Sequence, residues 1–240
     1  MTMAFKIAYG AGHNDKTGNG IPTTLHKPFM NEWRLNDRIA RYFAEAAAQY
    51  EGVALLRVDD PKGQAPISLQ GRCDDANEWG ADFFLSIHHN AGINGGSGGG
   101  LVAFSCKEGT TGAKYRDAIY NACIAAGGLK GNRSDGTIAK AYYVLQHTTA
   151  PAVLMEYGFM DSTTDVPYIL DESFAKKQAY ATMEGIAKVA GLKKKATETK
   201  PVESKTIYRV QVGAFENKAN AEAMLKKLKS AGYDAFITTK

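Results

Sequence analysis

Residues Phe83 to Asn90, Phe-Phe-Leu-Ser-Ile-His-His-Asn, set the tightest limit on what this chain can fold into. Four apolar residues broken by one Ser run straight into two histidines and an amide, with Gly80 and Gly92 marking the ends. Such a run reads as a buried strand. In a sheet of parallel strands the C-terminal strand ends point at the ligand crevice, so His88 and His89 arrive where chemistry sits. Adjacent strand residues face opposite sides, and only one of the two histidines aims into a given site. The plain alternative is a pair of polar residues capping a strand, and partners elsewhere in the chain decide between the two.

The remaining segments alternate in a way that suits such a sheet. Phe5 to Tyr9 is a short apolar strand ending in Gly10-Ala11-Gly12-His13, which sets a second histidine at a strand end. Asn14 to Asn31 is polar, contains Gly18, Gly20 and Pro22, and reads as a loop. From Glu32 to Tyr50, Trp33, Leu35, Ile39, Tyr42, Phe43 and Ala46 recur at helical spacing, with Asn31 as N-cap and Glu32 in the first turn. Val53 to Val58 is a second strand, and Ser68 caps a helix from Leu69 to Trp79 that Gly80 ends. Gly95-Gly96-Ser97-Gly98-Gly99-Gly100 lacks the Gly-Lys-Ser/Thr ending of a phosphate loop and leads into a strand, Leu101 to Ser105, so it reads as a flexible connection at a site margin. A helix from Gly112 to Ala126, strands at Tyr142 to Leu145 and Ala152 to Glu156, and a helix from Ser173 to Val189 ended by Gly191 complete the body. Strand, helix and strand in alternation predict an α/β fold whose strands pair in parallel through right-handed crossovers.

With 240 residues, 44% of them hydrophobic, the chain has material for one sizeable α/β core plus an appendage. No run approaches the ~20 apolar residues of a membrane span. The start, Met-Thr-Met-Ala-Phe-Lys-Ile-Ala-Tyr, has neither a basic n-region nor a long h-region, so synthesis in the cytoplasm without a signal peptide is expected. Cys73, Cys106 and Cys123 form no disulfide or metal framework and are expected to act as small apolar residues in a reducing compartment. Charge is uneven: residues 1–192 sum to −2 and residues 193–240 to +6. A basic tail suits a polyanionic surface, or is simply a solvated tail.

His13, Glu32, His88 and Glu156 all fall at strand or helix ends on the presumed C-terminal face. Glu156 closes the apolar run Ala-Val-Leu-Met, where a carboxylate is costly unless it is paired, protonated or bound. Two imidazoles and one carboxylate make a three-ligand zinc site with an open fourth position, and a further carboxylate off the metal makes a general base. The groups are scattered, with no His-Glu-x-x-His motif, so spacing alone does not single out this chemistry.

Ala8-Tyr9-Gly10-Ala11-Gly12-His13, Glu32 at a helix start, Ser86-Ile87-His88-His89-Asn90-Ala91 and Leu154-Met155-Glu156-Tyr157-Gly158-Phe159 resemble, in that order, the four signature blocks of zinc-dependent N-acetylmuramoyl-L-alanine amidases. The resemblance spans about residues 4 to 191. It implies a twisted, mostly parallel sheet with helices on both faces, a Zn2+ cofactor held by His13, Glu32 and His88, and Glu156 as catalytic acid/base. The implied reaction is hydrolysis of the amide between N-acetylmuramic acid and L-alanine of the peptidoglycan stem peptide. The first block departs from the family's Pro-Gly-His-Gly, reading Ala11-Gly12-His13-Asn14. His89 stands at the variable position of the family's His-x-Asn and is expected to pack or to line the substrate margin. Asn90, Arg72 and Gln146 are polar, near the predicted face, and are candidates for substrate contact, with a structural role the alternative for Arg72 and Gln146. His26 and His147 are weaker competitors as ligands.

Lys193 to Lys205 reads as a linker, which divides the chain into a catalytic domain at 1–192, the linker at 193–205 and a small βαβ unit at 206–240. In that unit Tyr208 to Phe215 alternates like a strand, Asn217 to Ala231 is helical, and Tyr233 to Thr238 is a second strand. Tyr208-Arg209-Val210-Gln211-Val212-Gly213-Ala214-Phe215 and Asn220-Ala221-Glu222 resemble half of a sporulation-related repeat (SPOR) domain, a peptidoglycan-binding module. A lone half is expected either to bind the cell wall or to join a second copy in a homodimer. The partner expected is bacterial peptidoglycan, with no nucleic acid and no stable membrane insertion. The competing readings are a catalytically inactive wall-binding protein and a zinc hydrolase of another peptidoglycan bond. As an amidase, the chain fits a phage endolysin released through a holin or a sporulation autolysin freed by lysis.

Overall fold

The computed structural model describes residues 4–16, 20–21, 30–196, 212–233 and 235–237, in two compact units, Met1–Ala196 and Thr197–Lys240. In the first unit, β1 (Phe5–Ala11) is followed by a short antiparallel pair, β2 (Gly20–Ile21) and β3 (Met30–Asn31). Then come α1 (Glu32–Ala47), β4 (Val53–Arg57), α2 (Leu69–Trp79) and β5 (Phe83–Asn90). The second half runs β6 (Val102–Ser105), α3 (Thr111–Ala125), β7 (Thr137–Ala139), α4 (Tyr143–His147), β8 (Ala152–Phe159), the single turn α5 (Val166–Ile169) and α6 (Glu172–Ala190).

Helix ends fall where the side chains satisfy orphan backbone groups. The Asn31 side chain accepts from the Arg34 N–H at 3.2 Å, Ser68 from Gly71 at 3.0 Å, Thr110 from Ala113 at 3.2 Å and Asp171 from Ser173 at 2.8 Å. Gly80, at φ 69°, ends α2 in the left-handed conformation that only glycine adopts without strain.

The six-stranded sheet has the order β4-β1-β5-β8-β6-β7. Every neighbouring pair is parallel except β6 with β8, so β6 and β7 run opposite to the rest. Strand alternation divides the core. Ile7, Leu85, Ile87, Val153, Met155 and Tyr157 face α1, α3 and α6; Ala8, Phe84, Leu154 and Phe104 face α2 and α4. The parallel strands β1, β5 and β8 therefore deliver their carboxyl ends side by side.

Two expectations are corrected. Tyr142 to Leu145 is not a strand: α4 covers it, with Tyr143 and His147 stacked one turn apart (centroids 3.9 Å) and Val144 and Leu145 buried beneath. An apolar run this short carries no readable period, and the true edge strand is Thr137–Ala139. The Gly95–Gly100 stretch is a bonded turn, not a flexible connection: the Gly99 N–H donates to Asn132 Oδ1 (3.1 Å) and the Gly100 N–H to Asp165 Oδ2 (2.7 Å). The first residues of the expected linker run along the turn after α1, with Glu51 N–H donating to the Lys193 carbonyl (2.9 Å) and Lys195 N–H to that of Gln49 (2.7 Å).

In the second unit, α7 (Lys218–Ser230) is capped by Asn217, whose side chain accepts from the Ala219 N–H at 2.8 Å. Residues 208–211, 234 and 238 of the two expected strands lie outside the described residues, and residues 212–215, 233 and 235–237 have no strand pairing among the described residues.

Candidate metal centre

The end of β1 turns through Gly12 into His13, and two devices hold that turn. The Gly12 N–H donates to the Ile87 carbonyl at 2.8 Å, and a Cβ on Gly12 would fall inside the His88 ring. His13 itself is left-handed at φ 64°, a conformation uncommon for any residue but glycine. Beneath the turn, the buried Arg72 donates to the carbonyl oxygens of Ala11 (2.5 Å) and His13 (2.9 Å), while Asp59 Oδ1 accepts from the Ala11 N–H (3.0 Å).

Glu32 opens α1 above the same point, and its carboxylate joins both histidines. His13 Nε2 lies 3.0 Å from Oε2 and His88 Nδ1 2.9 Å from Oε1, with the two rings edge to face at 5.3 Å. Ligating atoms of all three lie within 4.8 Å of one another. Burial pushes the Glu32 carboxyl upward, but the hydrogen bonds from His13 and His88 outweigh it and hold the group well below the ordinary carboxylate range. Around this trio sits a buried support: Asn36 Nδ2 donates to Glu32 Oε1 and to the Gly12 carbonyl, each at 3.3 Å, and Asn36 Oδ1 meets His89 Nδ1 at 2.8 Å. The His89 N–H also donates to Glu32 Oε1 (3.3 Å).

Alternation along β5 separates the two histidines. His89 shares the face of Leu85 and Ile87, is buried against Tyr157, and burial lowers its imidazole to about 3, so it stays neutral. His88 shares the face of Phe84 and Ser86. On that face it is in register with Glu156 of β8. Glu156 Oε2 is buried with no hydrogen-bond partner among the described residues. Burial raises its carboxyl well above the ordinary value, and the Glu32 charge raises it further. An orphaned carboxylate oxygen beside a cluster of metal-ligating atoms is a group kept for a ligand or a proton.

Two nitrogens and one carboxylate oxygen, borne on a turn, a helix start and a strand, are a donor set that suits zinc more than magnesium or calcium, which take oxygen ligands. Three protein ligands leave a fourth position open to water or substrate.

The other candidates separate. Asn90 stays at this end of the sheet, half-buried, its Oδ1 accepting from the Ala91 N–H at 2.9 Å. Arg72 is interior and its guanidinium is engaged by backbone carbonyls, so it braces the His13 turn. Gln146 lies at the wrong end. Because β7 runs opposite to β8, α4 follows β7 to the amino-terminal edge of β8, where Asn77 holds the His147 carbonyl (2.9 Å) and the Thr149 N–H (2.8 Å). His147 is excluded from the centre for the same reason, and His26 lies outside the described residues. Asn36 and Asp59 were not anticipated. Asn36 stands four residues after Glu32, one helical turn away, and Asp59 follows a strand end; both spacings carry the signal.

Comparison with known proteins agrees with this architecture. The family model described as N-acetylmuramoyl-L-alanine amidase matches residues 7–188, and that of the SPOR domain matches residues 174–239. A sporulation-specific N-acetylmuramoyl-L-alanine amidase of Bacillus subtilis (strain 168) is 33% identical over 195 residues, covering 80% of this chain and 69% of the relative. An endolysin of Bacillus phage SPP1 is 34% identical over 178 residues, covering 67% of this chain and 64% of the endolysin. Among solved structures, an N-acetylmuramoyl-L-alanine amidase from Clostridium difficile 630 superposes with a TM-score of 0.70 at 22% identity, over 79% of this chain and 98% of that one, which establishes the fold.

Proposed function

The chain belongs to the N-acetylmuramoyl-L-alanine amidase family, and on that premise we propose that His13, Glu32 and His88 hold a zinc ion and that Glu156 is the acid/base of peptidoglycan hydrolysis. The observation that carries the proposal is the convergence of the three ligating groups within 4.8 Å, with Glu156 in register beside His88 and one of its oxygens buried and unpartnered. A zinc ion bound there supplies Lewis acidity, which lowers the pKa of water toward neutrality and polarises a carbonyl.

The chain's own residues do the rest. Asn36 and the His89 N–H fix the Glu32 carboxylate in its place beside both imidazoles, as a hydrogen-bonded support for one of the three ligating groups. Glu156 takes one proton from the attacking water. The water oxygen bonds to the lactyl carbonyl carbon, the carbon–nitrogen bond to L-alanine breaks, and Glu156 returns the proton to the leaving amine. Burial raises the basicity of Glu156, which suits both halves of that transfer.

The test is mass spectrometry of digested peptidoglycan with zinc analysis of the protein. Free L-alanine amino termini, lost on chelation and restored by zinc, are expected. New internal amines without L-alanine termini would indicate another hydrolase, and no product a wall-binding protein. Either outcome refutes the assignment.

The SPOR match brings peptidoglycan binding to the second unit. No residue of α7 is buried, and Val212, Phe215, Tyr233, Phe236 and Ile237 are exposed. That apolar set supports a homodimer through residues 206–240, each copy covering the other's face. Sedimentation of the full chain beside a Phe236→Asp variant tests this: a dimer reduced to monomer is expected, and equal masses refute it. Among the described residues no helix is long and apolar enough to cross a membrane. Relatives that include a sporulation amidase and a phage endolysin support action at the cell wall, reached on lysis or through a holin.

A further inference from the structure

Two loops meet on the β6–β7 side of the centre. One runs from the end of β5 into β6 and the other from α3 into β7. Both lie at the sheet end that holds Glu156, because Val102, the first residue of β6, pairs with Glu156, and Ala103 pairs with Thr137, the first of β7. Between the loops is a cleft of about 480 Å³, lined by Arg133 and Asp135 among others. Its walls are locked: Gly99 is bonded to the Asn132 side chain, and Asp165 Oδ2 takes the N–H groups of both Gly100 (2.7 Å) and Phe159 (2.9 Å).

The charges in this cleft are left unspent. The Arg133 guanidinium lies 5.2 Å from the centre of the Phe159 ring, and no carboxylate among the described residues pairs with it. Asp135 has one long hydrogen bond, 3.5 Å from Ser134 Oγ, and no cation among the described residues. A cation and an anion two residues apart in one cleft, paired neither with each other nor with a neighbour, are complementary to a group that carries both signs. Phe159 is three residues beyond Glu156, roughly 10 Å along an extended strand.

We propose that this cleft is the subsite for the third residue of the stem peptide, and that Arg133 and Asp135 together recognise a side chain ending in an amino-acid centre, as in diaminopimelate. Its carboxylate pairs with Arg133 and its ammonium with Asp135. The inference rests on the amidase reading above. Its reach is consistent: two extended residues beyond the cleaved amide span about 7 Å, and the third residue's side chain carries its end past roughly 10 Å.

The experiment is steady-state hydrolysis of muropeptides that differ only in the third residue: diaminopimelate, its carboxamide form, or lysine. All three carry an ammonium, and only the first carries the side-chain carboxylate. Arg133→Ala is expected to raise KM about fivefold for the diaminopimelate substrate alone, the scale of one exposed charge pair, with kcat unchanged. Asp135→Asn is expected to raise KM for all three, and Arg133→Lys to recover part of the loss. An Arg133→Ala effect that is equal across the three substrates, or absent from all of them, overturns the proposal. The underlying amidase reading fails separately, by wild-type protein releasing no free L-alanine termini. In that event, calorimetric titration of the same muropeptides into Glu156→Gln protein still decides the cleft, and equal Kd values for the acid and carboxamide forms overturn it.

Discussion

Asn36→Ala is the most informative single change around the metal centre. Asn36 is fully buried and links three groups that no other side chain joins among the described residues: the Glu32 carboxylate, the Gly12 carbonyl and the His89 ring. The two bonds from Nδ2 are long, at 3.3 Å, and stand at the low end of hydrogen-bond worth, about 0.5 kcal/mol each. The 2.8 Å contact with His89 is the larger part. Removing it strands a buried imidazole nitrogen at a cost of about 1–3 kcal/mol. Loss of stability by about 2–4 kcal/mol follows, read as a shift of the urea midpoint at unchanged m. The same change frees Glu32 to rotate, and loss of such a supporting partner lowers metal affinity by about 10- to 100-fold. Competition with a chromophoric zinc chelator measures that on the folded protein. A variant that loses stability but binds zinc within about threefold of wild type would refute the reasoning, since Asn36 would then be packing alone.

Three further outcomes are expected. Glu156→Gln keeps the shape and removes the base, so zinc content by atomic absorption stays at the wild-type level while kcat falls by about 10²–10⁴; loss of zinc in that variant would make Glu156 a ligand. Gly12→Ala drives a methyl group into the His88 ring, so that ring must leave its place beside Glu32, and zinc affinity falls by at least about tenfold; wild-type affinity would mean that the His88 ring moves freely without cost. Burial pushes the Cys123 thiol up to about 12, and Cys73 is raised by burial as well, so native protein treated with iodoacetamide at pH 8 is labelled first at the half-buried Cys106. Peptide mapping reads the order, and early labelling of Cys123 would show that α3 and α6 open readily.

Local chemistry carried far in this chain. The bounds of α2 follow from Ser68 and Gly80, those of β5 from an apolar run between glycines, and the opposite facing of His88 and His89 from strand alternation, because capping, punctuation and pleating act over a few residues. The types of the four site groups were legible for the same reason, but the strand end read at Glu156 was not, because β8 runs three residues further, to Phe159. The run at Tyr142 was not, since four residues fit either period and the stacking of Tyr143 on His147 decided for a helix.

What only the tertiary structure decided is convergence. His13, Glu32 and His88 are separated by 19 and 56 residues along the chain, and they meet because β1 and β5 are parallel neighbours with α1 packed over both. Glu156 joins them through a register that sets it against His88, and a slip of one residue would have turned it to the other face. Gln146 was misplaced because the sense of β6 and β7, antiparallel to the rest, carries α4 to the far edge. Strand order, sense and register arise from pairings between distant segments, whose energy is a sum over the whole core, and no short stretch of residues encodes that sum.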